Sequence, residues 1–169
     1  DREYRLGLYE KSMPNFLSLE EKLETVHETG FDYLEMSIDE TDEKLARLDQ
    51  PADEIKEAVR KTGVAIGSIC LSGHRKYPLG SDDCLTRQKS MEIMKKAIDL
   101  AADLGVRIIQ LAGYDVYYEE STDETKAFFL ENLKKSAEMA GAAGVSLGFE
   151  TMETEFMNTV RNAMYYLDE

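Results

Sequence analysis

The chain has 169 residues, with 34 acidic against 20 basic side chains, a formal net charge of −14, 43% hydrophobic and 32% charged residues. That composition suits a soluble globular domain with its own core and excludes a disordered segment. The acidic balance speaks against nucleic acid and anionic membrane surfaces as partners, because both reward basic surface. No apolar stretch approaches the roughly 20 residues of a membrane span.

No signal-peptide pattern opens the chain, and Cys70 and Cys84 read as two reduced thiols, so the expected location is the cytoplasm. Residues 1–169 read as a single domain, without a linker or low-complexity tract. The chain starts at Asp1 and closes on Leu167-Asp168-Glu169 inside an amphipathic pattern, which leads us to expect part of a longer protein.

In chain order, the first apolar run is Leu6 to Tyr9, followed by a helical pattern that opens at Leu17-Ser18-Leu19-Glu20 and carries Leu23, Val26 and His27 on its stripe. Phe31 to Met36 is the next run. The acidic stretch Asp39 to Glu43 reads as a solvated loop and helix start, and Glu54 to Lys61 as a helix after Pro51. Val64 to Leu71 follows, then a long helix from about Thr86 to Leu104. After Val106 to Leu111, Thr122 or Asp123 can cap a helix carrying Phe128, Phe129, Leu133, Ala137 and Ala140. Val145 to Phe149 precedes a last helical pattern over Phe156 to Leu167.

Four of these five runs are preceded by a helix ending in glycine, at Gly30, Gly63, Gly105 and Gly144. Glycine there accepts the left-handed geometry that stops a helix. The alternation predicts α/β architecture with a parallel sheet and right-handed crossovers. An open nucleotide-binding sheet normally carries a glycine-rich turn after its first strand, but Tyr9-Glu10-Lys11-Ser12-Met13-Pro14 has no glycine. Instead, polar residues are expected at the carboxyl ends of the strands: Glu10, Glu35 with Ser37, Ser72 with His74, Gln110 and Glu150. Such a ring is how a barrel enzyme builds its site, so the expected fold is the first five β/α units of a (β/α)8 TIM barrel.

At these strand ends the segments "LGLYEK", "FDYLEMSIDETDEKLARLD", "CLSGHRKYPLGS", "IIQLAGYDVYYE", "LGFETME" and "MNT" resemble the bacterial L-ribulose-5-phosphate 3-epimerase (L-xylulose-5-phosphate 3-epimerase) family. That family is also labelled hexulose-6-phosphate isomerase and belongs to the xylose-isomerase-like TIM barrels. The resemblance runs through the whole chain in order. It implies a sugar phosphate as substrate, a role in pentose and L-ascorbate catabolism, and a divalent metal, zinc, held by two glutamates, one aspartate and one histidine. Glu150 matches the first of these ligands and, by the same resemblance, is a catalytic acid–base residue. The other ligands would come from later strands, so this chain alone is expected to be inactive.

The remaining residues carry bland readings beside functional ones. His74 and Arg75, standing with Lys76 in an acidic chain, are candidates for the sugar phosphate or its hydroxyls, with ordinary charge balance against Asp82 and Asp83 as the alternative. Glu10 and Glu35 are candidate substrate contacts or partners of Lys and Arg, because a lone buried carboxylate is costly. Gln110 can bond a hydroxyl or orient Glu150, and Asn158 matches the family's "MN" as a substrate-facing amide. Tyr114 can line the mouth or pack the loop, and packing is expected of Tyr117 and Tyr118. Glu153 and Glu155 read as solvated, His27 as a core or surface histidine, and Cys70 and the methionines as packing. Other readings are a hexulose phosphate isomerase, an unphosphorylated ketose 3-epimerase, or a non-catalytic binding module; a homodimer is plausible.

Overall fold

The computed structural model describes residues 3–168; the first two residues and Glu169 lie outside them. Eleven regular elements follow the predicted alternation: β1 Gly7–Tyr9, α1 Leu19–Glu28, β2 Tyr33–Ile38, α2 Asp42–Ala46, α3 Asp53–Thr62, β3 Ala65–Leu71, α4 Cys84–Asp103, β4 Ile108–Ala112, α5 Asp123–Ala142, β5 Ser146–Glu150 and α6 Val160–Asp168. Helix starts are set by side chains that satisfy open amides. Ser18 forms a reciprocal capping box with Glu21, Thr122 does so with Thr125, and Asp83 accepts from Thr86. The four glycines predicted to stop helices all adopt positive φ, between 69° and 77°.

All strand pairs are parallel, and the sheet order is β1-β2-β3-β4-β5. A doubly wound sheet reverses its order at a switch point where nucleotides bind. Strictly sequential order has no such point and is the connectivity of a barrel wall.

Side chains alternate across this wall. Leu34, Met36, Ile38, Ile66, Ile69, Leu71, Ile109 and Leu111 turn outward and pack under the helices with Leu23, Val26, Met94, Ala97, Ile98, Phe129 and Leu133. The other parity carries Tyr9, Tyr33, Glu35, Ser37, Ser68, Cys70, Ile108, Gln110, Gly148 and Glu150. A register shift between Leu34 and Glu35 lets Gly67 and Ser68 both lie on that inner side, where the Tyr33 ring occupies the space beside Gly7 and Gly67.

Three expectations need correcting. Glu35 and Gln110 do not end their strands, since β2 runs to Ile38 and β4 to Ala112. Asp39 is 7% exposed rather than solvated, because its carboxylate accepts from Thr41 and pairs with Lys11. The last helix begins at Val160, not Phe156: Phe156 turns inward onto Phe129 and Tyr166, at ring distances of 5.1 and 5.0 Å. The preceding loop folds back on itself, with the Met152 amide donating to the Met157 carbonyl at 2.9 Å.

Gly113 joins β4 to this loop so closely that a Cβ there would meet the Glu150 carbonyl oxygen at 2.6 Å and Met157 Cγ at 2.4 Å. Gly113→Ala should therefore lower stability by about 1–3 kcal/mol, read from the urea midpoint. An unchanged midpoint would show that the ends of β4 and β5 are free to separate.

Candidate functional site

The carboxyl ends of the five strands place their following turns on one rim, and the candidate residues divide there into two groups. One group is buried and saturated. The other faces the lumen.

Glu10 directly follows β1 and, by strand alternation, points away from the lumen while Tyr9 points into it. It is 1% exposed. Its oxygens accept from Lys22 Nζ at 3.1 Å, Lys44 Nζ at 2.6 Å, Arg47 at 2.7 and 2.9 Å, and the Ser37 amide at 2.8 Å. The expectation that Glu10 touches substrate is thereby corrected: both oxygens are occupied by donors from α1, β2 and the α2 region. Burial opposes ionisation, yet the Arg47 guanidinium, Lys44 and the Ser37 amide hold its carboxyl well below the usual carboxylate range. The alternative expectation, pairing with Lys and Arg, is the one met, although the sequence did not say which cations these are. One signal was available, because Lys22 sits on the apolar stripe of α1 between Leu19, Leu23 and Val26.

His74 is corrected in the same way. The turn after β3 buries its ring, and Nε2 lies 3.0 Å from the Ser90 carbonyl of α4. A carbonyl only accepts, so Nε2 carries the proton. Burial pulls the imidazole pKa from 6.5 down to about 4, with the Ser90 contact opposing. His74 is a neutral anchor for the turn. His27, expected on the apolar stripe of α1, is exposed.

Arg75, the next residue, turns the other way. Its guanidinium carbon stands 4.7 Å from the centre of the Tyr117 ring and 5.8 Å from that of Tyr114. Among the described residues no carboxylate lies within ion-pair distance of it, and its Nε is buried without a partner. Tyr114 is held in turn by Glu153, whose carboxylate accepts its hydroxyl at 2.8 Å, and Tyr118 donates to Glu40 at 3.0 Å. The expected packing roles of Tyr117 and Tyr118 thus become a shelf for Arg75 and a tie to the turn after β2. Glu153 is exposed but engaged, while Glu155 is exposed.

On the inner face Glu35 accepts from Ser68 at 2.6 Å, and Gln110 pairs in register with Cys70 and Gly148. Tyr9 is a lumen residue that sequence reasoning overlooked. Burial raises its phenol well above its ordinary value, and its hydroxyl lies among Ser37, Cys70 and Glu35. Cys70 therefore faces the lumen rather than the helical layer, and burial raises its thiol. Glu150 ends β5 opposite Ala112, with its side chain exposed on the inner face. Asn158 lies on the loop beyond, exposed, where its carbonyl oxygen accepts from Asn162 at 3.3 Å.

A divalent metal site needs about three protein ligands. Among the described residues no group of three His, Cys, Asp or Glu side chains stands together to hold one. The residues of this chain do not fit a complete metal centre; Glu150 offers one carboxylate. A groove of about 380 Å³ between α5, β5 and α6 is lined by Leu147 and Phe149, on the opposite side of the sheet from Glu150.

Comparison with known proteins agrees with this architecture. A family profile described as xylose isomerase-like TIM barrel matches residues 23–169. L-ribulose-5-phosphate 3-epimerase UlaE of Salmonella heidelberg is 46% identical over 168 residues, which is 98% of this chain and 59% of that protein. The chain thus spans 59% of the length of the curated relatives it matches. Among solved structures, D-allulose 3-epimerase from Methylomonas sp. in complex with D-allulose superposes with a TM-score of 0.78 at 20% identity, covering 97% of this chain and 58% of that one. A xylose isomerase-like TIM barrel protein from Mycobacterium smegmatis in complex with magnesium gives 0.66 at 17% identity, covering 88% and 51%. These two likenesses concern the fold.

The His74 pKa sets a pH test. Because the folded state resists protonating this ring, its contribution is complete above pH 6.5 and is lost as pH falls towards about 4. The loss should reach roughly 3 kcal/mol, and His74→Gln should flatten it in urea titrations between pH 7 and pH 4. Parallel losses in both proteins would assign the acid sensitivity elsewhere.

Proposed function

The chain belongs to the xylose isomerase-like TIM-barrel family, and on that premise we propose that it is part of a sugar-phosphate 3-epimerase interconverting L-ribulose 5-phosphate and L-xylulose 5-phosphate. The observation that carries this reading is Glu150, an exposed carboxylate on the inner face at the carboxyl end of β5. The 46% identity to L-ribulose-5-phosphate 3-epimerase UlaE supports the choice of substrate. In the same reading the enzyme serves pentose and L-ascorbate catabolism in the cytoplasm as a homodimer. Among the described residues no helix is long and apolar enough to cross a membrane.

Epimerisation at C3 removes the proton next to the C2 carbonyl on one face and returns one on the other, through an enediolate. A carboxylate on each face of the sugar serves as base and acid. Glu150 takes one of these places; the opposite group lies outside this chain. A divalent metal, zinc in this reading, would take Glu150 as one ligand and its other donors from outside the chain. Glu35 and Gln110, which face the lumen, are assigned to sugar hydroxyls, and Asn158 to the substrate side of the loop after β5.

Arg75 is assigned to the phosphate. A planar guanidinium suits bidentate contact with an oxyanion, and this one is pre-oriented by Tyr117 and Tyr114, with Glu40 acting on it only from beyond ion-pair distance. Lys76 stands 3.7 Å from Asp42 in an exposed pair.

In the full-length, metal-loaded protein, L-ribulose 5-phosphate in deuterated water should yield L-xylulose 5-phosphate with deuterium at C3. Glu150→Gln should lower kcat by about a hundredfold or more. A folded, metal-loaded protein that interconverts neither sugar phosphate would overturn the assignment. Arg75→Ala should raise KM for the phosphorylated sugar about tenfold or more while leaving the free ketose unchanged; equal KM values for wild type and variant would remove Arg75 from the phosphate.

A further inference from the structure

The cluster around Glu10 contains more positive than negative charge. Three cations, Lys22, Lys44 and Arg47, share this one carboxylate. Lys22 and Lys44 are only 4% and 8% exposed, and among the described residues neither pairs with a second carboxylate. The neighbouring Asp39 is already taken by Lys11, 3.2 Å away. A cluster that served only to lock the turns would balance its charges, because a surplus buried ion is desolvated without a partner to offset it. One cation fewer would serve a lock better.

The position of the surplus suggests its use. Glu10 follows Tyr9 directly, and Ser37 joins the cluster through its amide and its carbonyl, the latter accepting from Arg47 at 3.1 Å. Tyr9 and the Ser37 hydroxyl lie side by side on the lumen side of the same two strands. Little more than the backbone of β1 and β2 therefore separates the surplus charge from the lumen. Buried charge is screened far less than surface charge, so its field reaches across such a wall. The chain as a whole carries −14 and would otherwise repel an anion.

We propose that the buried surplus of positive charge behind β1 and β2 biases the mouth towards an anionic ketose ester, making Lys22, Lys44 and Arg47 specificity-determining residues that do not touch the sugar. This rests on the function proposed above and names a second source of its preference for phosphorylated substrate, separate from direct contact by Arg75.

The proposal separates stability from selectivity in a way that an ion-pair lock does not. Lys22→Met leaves Glu10 paired with Lys44 and Arg47, so the thermal midpoint should hold or rise, as when a buried ion gives way to an apolar side chain of similar size. The same variant should lose roughly three- to tenfold in kcat/KM for L-ribulose 5-phosphate, and nothing for free L-ribulose. Lys44→Met should behave alike, which guards against a local packing defect at one site. A lowered midpoint in both variants with an unchanged preference for the ester would make the cluster a simple lock and overturn the proposal. So would an equal loss on the two sugars. If the wild-type protein turns over neither sugar, the assigned reaction fails but the charge argument is still tested, through the rise in thermal midpoint with added inorganic phosphate. That rise should be present in wild type and weakened in both variants; its absence in wild type, or an equal rise in all three, overturns the proposal.

Discussion

Each strand of this wall has two faces in different solvents, and the rest of the molecule follows from that constraint. Outward positions are apolar because helices cover them, so Met36, Ile38, Ile69, Leu71, Ile109 and Leu111 are buried almost completely. Inward positions are free of that demand. They can be polar without weakening the packing between sheet and helices, which is why Glu35, Ser37, Ser68, Cys70, Gln110 and Glu150 can share one face. The chemistry is thus confined to the side of the sheet on which it disturbs the core least.

That alternation, and the short turns that follow the strands, sort the rim. After β1 the alternation sends Tyr9 inward and Glu10 outward, and Glu10 then gathers donors from α1, β2 and the segment after α2. After β3 the helical turn Gly73–Arg75 buries His74 against α4 and releases Arg75 towards the tyrosines that follow β4. Adjacent residues of one short motif consequently have opposite fates. Neighbouring turns are also tied to each other: Ser81 donates to Glu119, the Gly80 amide donates to the Asp115 carbonyl, and Tyr114 donates to Glu153. These cross-links join the turns after β3, β4 and β5 into one surface.

Buried charge is used in two ways along this rim. His74 is kept neutral, and its only cost is sensitivity to acid. Glu10 is kept ionised by an excess of cations, an arrangement that is poor as a lock and better suited to shaping the potential at the mouth. A polar lumen in an acidic chain needs some such source of positive potential if it is to admit a phosphate ester.

Much of this was legible without coordinates. Hydrophobic periodicity, the cap at Thr122 and the stop glycines are local signals, and they determined the order of elements and placed every strand within a few residues. Motif resemblance likewise placed Glu150 at a strand end. Partner choice over long sequence separation was not legible: Glu10 meets Arg47 across 37 residues, and Tyr114 meets Glu153 across 39. Whether a polar residue beside a strand faces helix, neighbour or lumen depends on where that strand stops, and the β2 and β4 ends lie beyond the residues that local pattern had marked. The sequence by itself determined the alternating elements and their two-faced strands, because these arise from interactions within a few residues. Only the tertiary structure decided which charges are consumed by pairing and which are left exposed on the inner face, because that depends on distances between segments that the chain brings together only when the sheet forms.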